Sequence, residues 1–142
     1  MVPYVVAFAD TDAGGVMHHA RYIELAEYGY HAWFRERSMA LSRIGSEHGF
    51  SMVVRRLTAK YLAPIFLEDE VCIHTRLSSI DRTGLNWETD ITKAGKRCLQ
   101  LSTRMVCLER GSRTILPVPA SIIALLAPQG QGRRHEQERE HV

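Results

Sequence analysis

The chain has 142 residues, an apolar fraction of 45% and a net charge of +2, which together predict one globular domain with a core of its own. The small net charge, without a clustered basic patch, argues against a nucleic-acid binder. No apolar run approaches the roughly 18–20 residues that a membrane span needs, so no membrane-spanning segment is expected.

The first 49 residues predict a strand at 2–9, a long helix and a short second helix at 38–49. From His19 to Arg37, apolar side chains recur every three or four positions, which indicates an amphipathic helix of about five turns. Gly29 lies near its middle, where glycine costs ~1 kcal/mol relative to alanine, and a close approach to a sheet would compensate. The predicted apolar face comprises Ile23, Ala26, Tyr30, Trp33 and Phe34.

The following residues predict consecutive antiparallel strands separated by turns that contain glycine. Apolar and polar residues alternate along them, which places one face of the sheet in a core and leaves the other more polar. The last strand is expected to end near residues 123–126. The predicted strands are 51–62, 70–80, 85–91, 99–109 and one after the turn at 110–113.

This order of elements predicts an α+β domain over residues 1–126, in which an antiparallel sheet of about five strands wraps around one long central helix. One helix covers only part of such a sheet, so the exposed remainder or a sheet edge is a candidate dimer surface. Residues 127–142 have almost no apolar content, which predicts a disordered tail. The three cysteines lack CxxC and metal-ligand spacing, which predicts reduced thiols in a cytoplasmic protein.

Ionisable residues are concentrated just before the long helix, between Asp10 and His19. Gly14 and Gly15 allow the backbone to fold back, so that Asp12 can approach the first turn of the helix. The N–H groups and partial positive charge of a helix start leave two interpretations of Asp12 open. Its carboxylate caps the helix, or it acts on a carbonyl group that the helix N–H groups polarise, which suits acyl transfer or hydrolysis.

Two other chemistries compete with this one. Asp10, Asp12, His18 and His19 are residue types that bind metals, but adjacent histidines point in different directions from a helix, which makes a compact four-ligand set awkward. No metal site is therefore expected. The sequence has neither a GxSxG elbow nor a Ser-His-Asp set, which argues against a serine hydrolase.

Three segments resemble motifs of one family. The stretch "DTDAGGVMHHARY" (10–22) resembles the D-T/C-D-x-x-G-(apolar)₂-Y-H/P-x-x-Y signature of the hotdog-fold acyl-CoA thioesterases of the 4-hydroxybenzoyl-CoA thioesterase and YbgC type. Two further segments, "AKYLAPIFLEDEVCIHT" (59–75) and "LPVPASIIALL" (116–126), resemble its strand-entry and C-terminal motifs. The resemblance covers residues 1–126 and implies a hotdog fold that hydrolyses an acyl-CoA or acyl-carrier-protein thioester.

The resemblance implies a role for each matching residue. Asp12 matches the catalytic carboxylate, either nucleophile or general base, and His19 matches the helix-start position whose backbone N–H polarises the thioester carbonyl and whose side chain is also implicated. His18 departs from the family's usual aromatic residue, which bears on acyl specificity. Substrate contacts are implied for Gly15, Val16, Met17, His18, Thr83 and Gly84, the last two from a partner subunit. Supporting roles are implied for Asp10, Tyr22 and Glu27.

The resemblance also implies a homodimer or homotetramer, with no cofactor besides the coenzyme A or phosphopantetheine of the substrate. Basic residues near the turns are candidates for contact with coenzyme A phosphates or an acidic carrier protein, with ordinary solvation as the alternative. Two other functions stay open, a non-catalytic acyl-thioester-binding module and a hotdog dehydratase or hydratase. The basic candidates are Arg82, Lys93, Lys96 and Arg97.

Overall fold

The computed structural model describes residues 1–126, so the tail predicted at 127–142 lies outside the described residues. The helices are α1 (His19–Glu36), α2 (Leu41–His48) and α3 (Ala120–Leu126), and a short 3₁₀ helix covers Phe8–Asp10. None of these helices is long and apolar enough to cross a membrane. The strands are β1 (Val2–Val5), β2 (Phe50–Tyr61), β3 (Glu70–Ile80), β4 (Gly84–Lys93), β5 (Lys96–Glu109) and β6 (Ile115–Leu116).

The strands form one antiparallel sheet in the order β1-β3-β4-β5-β2, with the short β6 paired to β5. Its inner face is apolar because alternate residues of the strands point toward α1, as the sequence alternation predicted. The inner residues of β4 and β5 are all buried: Leu85, Trp87, Thr89, Ile91, Leu99, Leu101, Thr103, Met105 and Cys107. The α+β architecture with a sheet around one long helix is confirmed.

Helix α1 lies on the inner face of the sheet, where two close contacts fix it. The Trp87 ring of β4 packs against Tyr30 and Trp33 of α1, with ring centroids 5.4 and 4.9 Å apart. At Gly29 the helix comes so near to β3 that any Cβ would collide with the Thr75 hydroxyl. The predicted close approach at Gly29 is therefore confirmed, and it explains why a residue that disfavours helices stands at this position.

The sequence prediction is wrong at both ends of the described chain. β1 ends at Val5, because the chain turns into the 3₁₀ helix, whereas a strand was predicted for residues 2–9. The predicted last strand ends at Leu116, and residues 120–126 form helix α3 instead. Pro117 and Pro119 explain this change, because proline has no N–H to donate to a sheet and is compatible with a helix start.

Candidate active site

The residues before α1 form a hairpin-shaped loop at one end of the sheet. Thr11 and Met17 form an antiparallel bridge across this loop, and the N–H of Met17 donates to the carbonyl of Ile65 at 2.7 Å. Since Ile65 lies between β2 and β3, the loop is fixed where β2 ends and β3 begins. We call residues 11–18 the site loop.

Asp10 lies directly before the site loop and is buried, with 1% of its surface exposed. Its carboxylate accepts hydrogen bonds from the Tyr4 hydroxyl at 2.6 Å and the Ala7 N–H at 2.8 Å, and it forms an ion pair with Arg21. Burial alone would raise the pKa of this carboxyl, but the hydrogen bonds outweigh it and hold the pKa below its usual value. Asp10 thus joins β1, the 3₁₀ helix and α1 beneath the site loop.

Asp12 lies in the site loop and is exposed. Its N–H donates to the carbonyl of Val16 at 2.9 Å, and one carboxylate oxygen accepts the N–H of Gly14 at 2.8 Å. This local turn orients the side chain. Within residues 1–126 no basic side chain forms an ion pair with it. Asp12 therefore presents an accessible carboxylate with free acceptor capacity.

The start of α1 is capped by His18, so the capping interpretation of Asp12 is wrong. The Nδ1 atom of His18 accepts the N–H of Ala20 at 3.2 Å. His19 is the first helical residue, and its N–H meets no acceptor in the described part of the chain. The exposed rings of His18 and His19 are stacked, with centroids 4.3 Å apart. The first turn therefore offers a free N–H, a donor that can stabilise negative charge on an oxygen.

Two tyrosines hold this helix start against the end of β2. Tyr22 is buried, and its hydroxyl accepts the N–H of Ile65 at 3.2 Å. Its ring packs edge-on against the Tyr61 ring at 5.1 Å between centroids. The Tyr61 hydroxyl donates to the carbonyl of His19 at 2.7 Å. Tyr22 therefore has the contacts of a supporting residue, and the contact of Tyr61 was not foreseen from the sequence.

The loop residues implied in substrate binding differ in accessibility. Gly15 and Val16 are partly buried, His18 is exposed, and Met17 is buried within the hydrophobic core. Met17 therefore lies beneath the loop, not in an open pocket of the single chain. Two cavities of about 250 and 310 Å³ lie on the polar outer face of the sheet, and neither is lined by a residue of the site loop.

Thr83 and Gly84 lie at the opposite end of the sheet from the site loop of the same chain. Gly84 begins β4, whereas Ile91 of β4 lies level with Leu99, the partner of Tyr61. Seven residues of strand separate the two levels, which is roughly 20 Å. The predicted contact of Thr83 and Gly84 with substrate therefore requires a second subunit.

The end of the sheet at Thr83 and Gly84 is organised around Arg104. The Arg104 guanidinium donates to Asp81 at 2.9 Å and to the hydroxyl of Thr83 at 3.2 Å. It also fills the space that a side chain at position 84 would occupy, with guanidinium atoms 2.5–2.6 Å from an ideal Cβ. Gly84 thus allows Arg104 to cross the backbone, a structural role that the sequence alone did not indicate.

The remaining candidates lie apart from the site loop or already have partners. Glu27 is exposed on α1. Lys93 pairs with Asp69 at 2.7 Å, and Arg97 pairs with Asp90 at 3.3 Å. Their ion pairs mean that a phosphate would compete with a carboxylate for these two cations.

Neither Cys107 nor a cluster of metal-binding side chains offers an alternative site in the described chain. Cys72, Cys98 and Cys107 are free thiols, and burial raises the pKa of Cys107 to about 11, which makes it a poor nucleophile at neutral pH. No group of three or more metal-binding side chains converges within residues 1–126. The alternative with Asp10, Asp12 and the histidines as ligands therefore has no ligand cluster there.

Comparison with known proteins identifies relatives over nearly the whole described chain. Residues 6–126 match the family model described as the thioesterase-like superfamily. The acyl-CoA thioester hydrolase YbgC of Escherichia coli O6:H1 is 31% identical over 123 residues, which cover 86% of this chain and 91% of that protein.

Solved structures show the same fold. A 1,4-dihydroxy-2-naphthoyl-CoA thioesterase from Synechocystis superposes with a TM-score of 0.82 at 18% identity, covering 90% of this chain and 95% of that one. A thioesterase from Thermus thermophilus, complexed with coenzyme A and Zn, superposes with a TM-score of 0.76 at 26% identity, covering 88% and 89% of the two chains. The sheet around α1 is thus the hotdog arrangement of these thioesterases.

Proposed function

The chain belongs to the thioesterase-like superfamily and hydrolyses acyl thioesters, and we propose that Asp12 and the backbone N–H of His19 carry out this reaction. One observation carries the proposal: an exposed carboxylate without a paired cation in the described chain lies in the loop that leads into a helix start with a free N–H. The first group can activate or replace the attacking water, and the second can bind the oxygen on which charge develops.

The reaction proceeds by attack on the thioester carbonyl carbon. Either Asp12 takes a proton from the attacking water, or its carboxylate attacks directly and water then hydrolyses the resulting anhydride. On both routes the carbonyl oxygen becomes negative, and the His19 N–H donates a hydrogen bond to it. Removal of one such donor typically raises the barrier by ~2.7–4 kcal/mol. Collapse of this oxyanion breaks the C–S bond, and the thiolate takes a proton from Asp12 or from solvent to leave as the free thiol. The general-base route releases the carboxylic acid at this step, whereas the direct route forms the anhydride here, before water hydrolyses it to the acid and restores the Asp12 carboxylate.

We propose that the working unit is a homodimer or a larger homo-oligomer built on β2. This strand is twelve residues long and forms an edge of the sheet, so its outer N–H and C=O groups have no strand partner in the described chain. Antiparallel pairing of β2 with β2 of a second copy would bring the Phe50 end of one beside the Tyr61 end of the other. Thr83 and Gly84 lie at the Phe50 end, which supports their predicted contribution in trans.

We propose an acyl-CoA as the substrate, with an acyl carrier protein as the alternative. The β4–β5 turn carries Lys93, Lys96 and Arg97 at the same end of the sheet as the site loop, where phosphates of coenzyme A would meet them. Catalysis by Asp12 and the His19 N–H requires no cofactor, so EDTA should leave the activity unchanged. Free thiols at all three cysteines support a reducing compartment, the cytoplasm.

The experiment that tests the proposal is thiol release from a panel of short, long and aromatic acyl-CoA esters by the wild type and Asp12→Asn. The substitution should lower kcat/KM by about 10²–10⁴, because the carboxylate is lost while the shape of the side chain is kept. A variant as active as the wild type would overturn the role of Asp12. Binding of acyl-CoA by a wild type that hydrolyses nothing would support the binding-module alternative.

A further inference from the structure

The peptide groups on both sides of His19 are hydrogen-bonded, and one of these bonds comes from outside the helix. The carbonyl of His18 accepts the N–H of Arg21 at 2.9 Å, and the N–H of Ala20 donates to the His18 ring at 3.2 Å. These bonds join neighbours and move with the helix. The carbonyl of His19, in contrast, accepts the hydroxyl of Tyr61, which lies 42 residues further along the chain.

We propose that the Tyr61 hydroxyl is a positioning group for thioester hydrolysis, which holds the first turn of α1 so that the His19 N–H faces the substrate carbonyl. This inference rests on the proposed function of the site loop. Tyr61 is the last residue of β2, so its hydrogen bond sets the location of the helix start relative to the sheet. An N–H stabilises a developing oxyanion only when its direction and distance are already correct.

The surroundings of Tyr61 favour this role over a purely structural one. Tyr61 is 48% exposed, and its ring packs edge-on against Tyr22. A phenylalanine would keep this ring contact, since only the hydroxyl reaches the carbonyl of His19. The hydroxyl therefore adds little to the burial of apolar surface, and its main contact is with the turn that carries the free N–H.

The location of Tyr61 also connects the site to the proposed subunit contact. β2 is the edge strand on which a second copy would pair, and Tyr61 is its terminal residue on the side of the site loop. Pairing of β2 across the dimer would fix the end of this strand, and the tyrosine would pass that restraint to α1. In the proposed dimer, Tyr61 would therefore link subunit pairing to the geometry of the His19 N–H.

The test compares Tyr61→Phe with a matched loss of a core hydroxyl, Tyr30→Phe. The Tyr30 hydroxyl donates to Thr103 at 2.7 Å in the buried core, so its loss should lower the midpoint of thermal unfolding and leave kcat within about twofold of the wild type. Tyr61→Phe should show the opposite pattern, with kcat reduced about tenfold, KM within about twofold and an unchanged unfolding midpoint. The backbone amide NMR signal of His19 should shift in the Tyr61→Phe variant.

The outcomes distinguish this inference from the proposed function. An unchanged kcat in Tyr61→Phe, with Asp12→Asn inactive, would overturn the positioning role alone. A fall in the unfolding midpoint of Tyr61→Phe as large as that of Tyr30→Phe, with kcat unchanged at a temperature where both are folded, would show a structural role. A wild type without thioesterase activity would overturn both proposals. Analytical ultracentrifugation should show the same oligomeric state for all variants.

Discussion

Asp10 and Asp12 are two residues apart, yet the fold gives them opposite surroundings. Asp10 is buried beneath the site loop and bound by a hydroxyl, a backbone N–H and a guanidinium, whereas Asp12 is exposed and bound by a single local N–H. Hydrogen bonds to a charged carboxylate stabilise a structure but occupy the acceptor sites that catalysis needs. The contrast assigns the first aspartate to architecture and leaves the second available for chemistry.

The largest expected effect is a difference in stability between variants of the two aspartates. Asp10→Ala should lower the free energy of unfolding by about 3 kcal/mol, because it leaves Tyr4 and Arg21 without their buried partner. The matched variant Asp12→Ala should cost less than about 1 kcal/mol, since it removes one exposed hydrogen bond. Urea unfolding of both variants measures this difference in unfolding free energy. Both variants are compared at the same protein concentration, because the stability of an oligomer depends on concentration. Equal losses of unfolding free energy in the two variants would show that the buried contacts of Asp10 contribute no more to stability than the exposed contact of Asp12.

Unfolding at acidic pH should reveal the contribution of the Asp10 carboxylate to stability. The pKa of Asp10 is lowered in the folded state, because its hydrogen bonds outweigh the effect of burial. Its contribution to stability is therefore complete above about pH 4, the unfolded value, and is lost as the pH falls through the lower folded pKa. Below about pH 4 the wild type should lose unfolding free energy more steeply than Asp10→Asn. Parallel curves for the two proteins would contradict this linkage.

The smallest of these effects concerns one hydrogen bond of the buried aspartate. Tyr4→Phe removes the hydroxyl that donates to Asp10 at 2.6 Å and should cost about 1 kcal/mol of unfolding free energy, since the ion pair with Arg21 is kept. Its kcat should stay close to that of the wild type, because Asp12 and His19 are not touched. A kcat loss as large as that of Asp12→Asn would mean that Asp10 and Asp12 do not have separate roles.

Local sequence patterns predicted most of the elements but not their ends. The alternation in β3, β4 and β5 and the period of α1 identified these elements to within a few residues, because side-chain spacing is a property of neighbouring residues. The prediction of the last strand was wrong because Pro117 and Pro119 have no N–H to donate to a sheet, although the residues around them are apolar. The apolar face of α1 was partly wrong, since Tyr22 and Leu25 are buried whereas Ile23 is only partly buried.

The candidate site was likewise only partly predictable from the sequence. The motif at residues 10–22 was enough to select Asp12 and His19 as candidates, and their roles stay predictions. The partners of Asp10, the capping by His18 and the contact between Tyr61 and His19 could not be read from the sequence. Tyr61 is the tyrosine of the segment at 59–75 that resembles the family's strand-entry motif, but that motif does not indicate that its hydroxyl contacts the carbonyl of His19.

The sequence by itself thus determined the order of the elements, the two faces of the strands and the family motif, because each depends on residues close together in the chain. The tertiary structure alone decided which aspartate is buried, which N–H at the helix start is free, and that Thr83 and Gly84 lie far from the site loop of their own chain. These properties depend on contacts between different elements of the fold, such as Asp10 with Tyr4 of β1 and Arg21 of α1, or Tyr61 of β2 with His19 of α1. Packing of α1 on the sheet creates these contacts, and no local pattern encodes them.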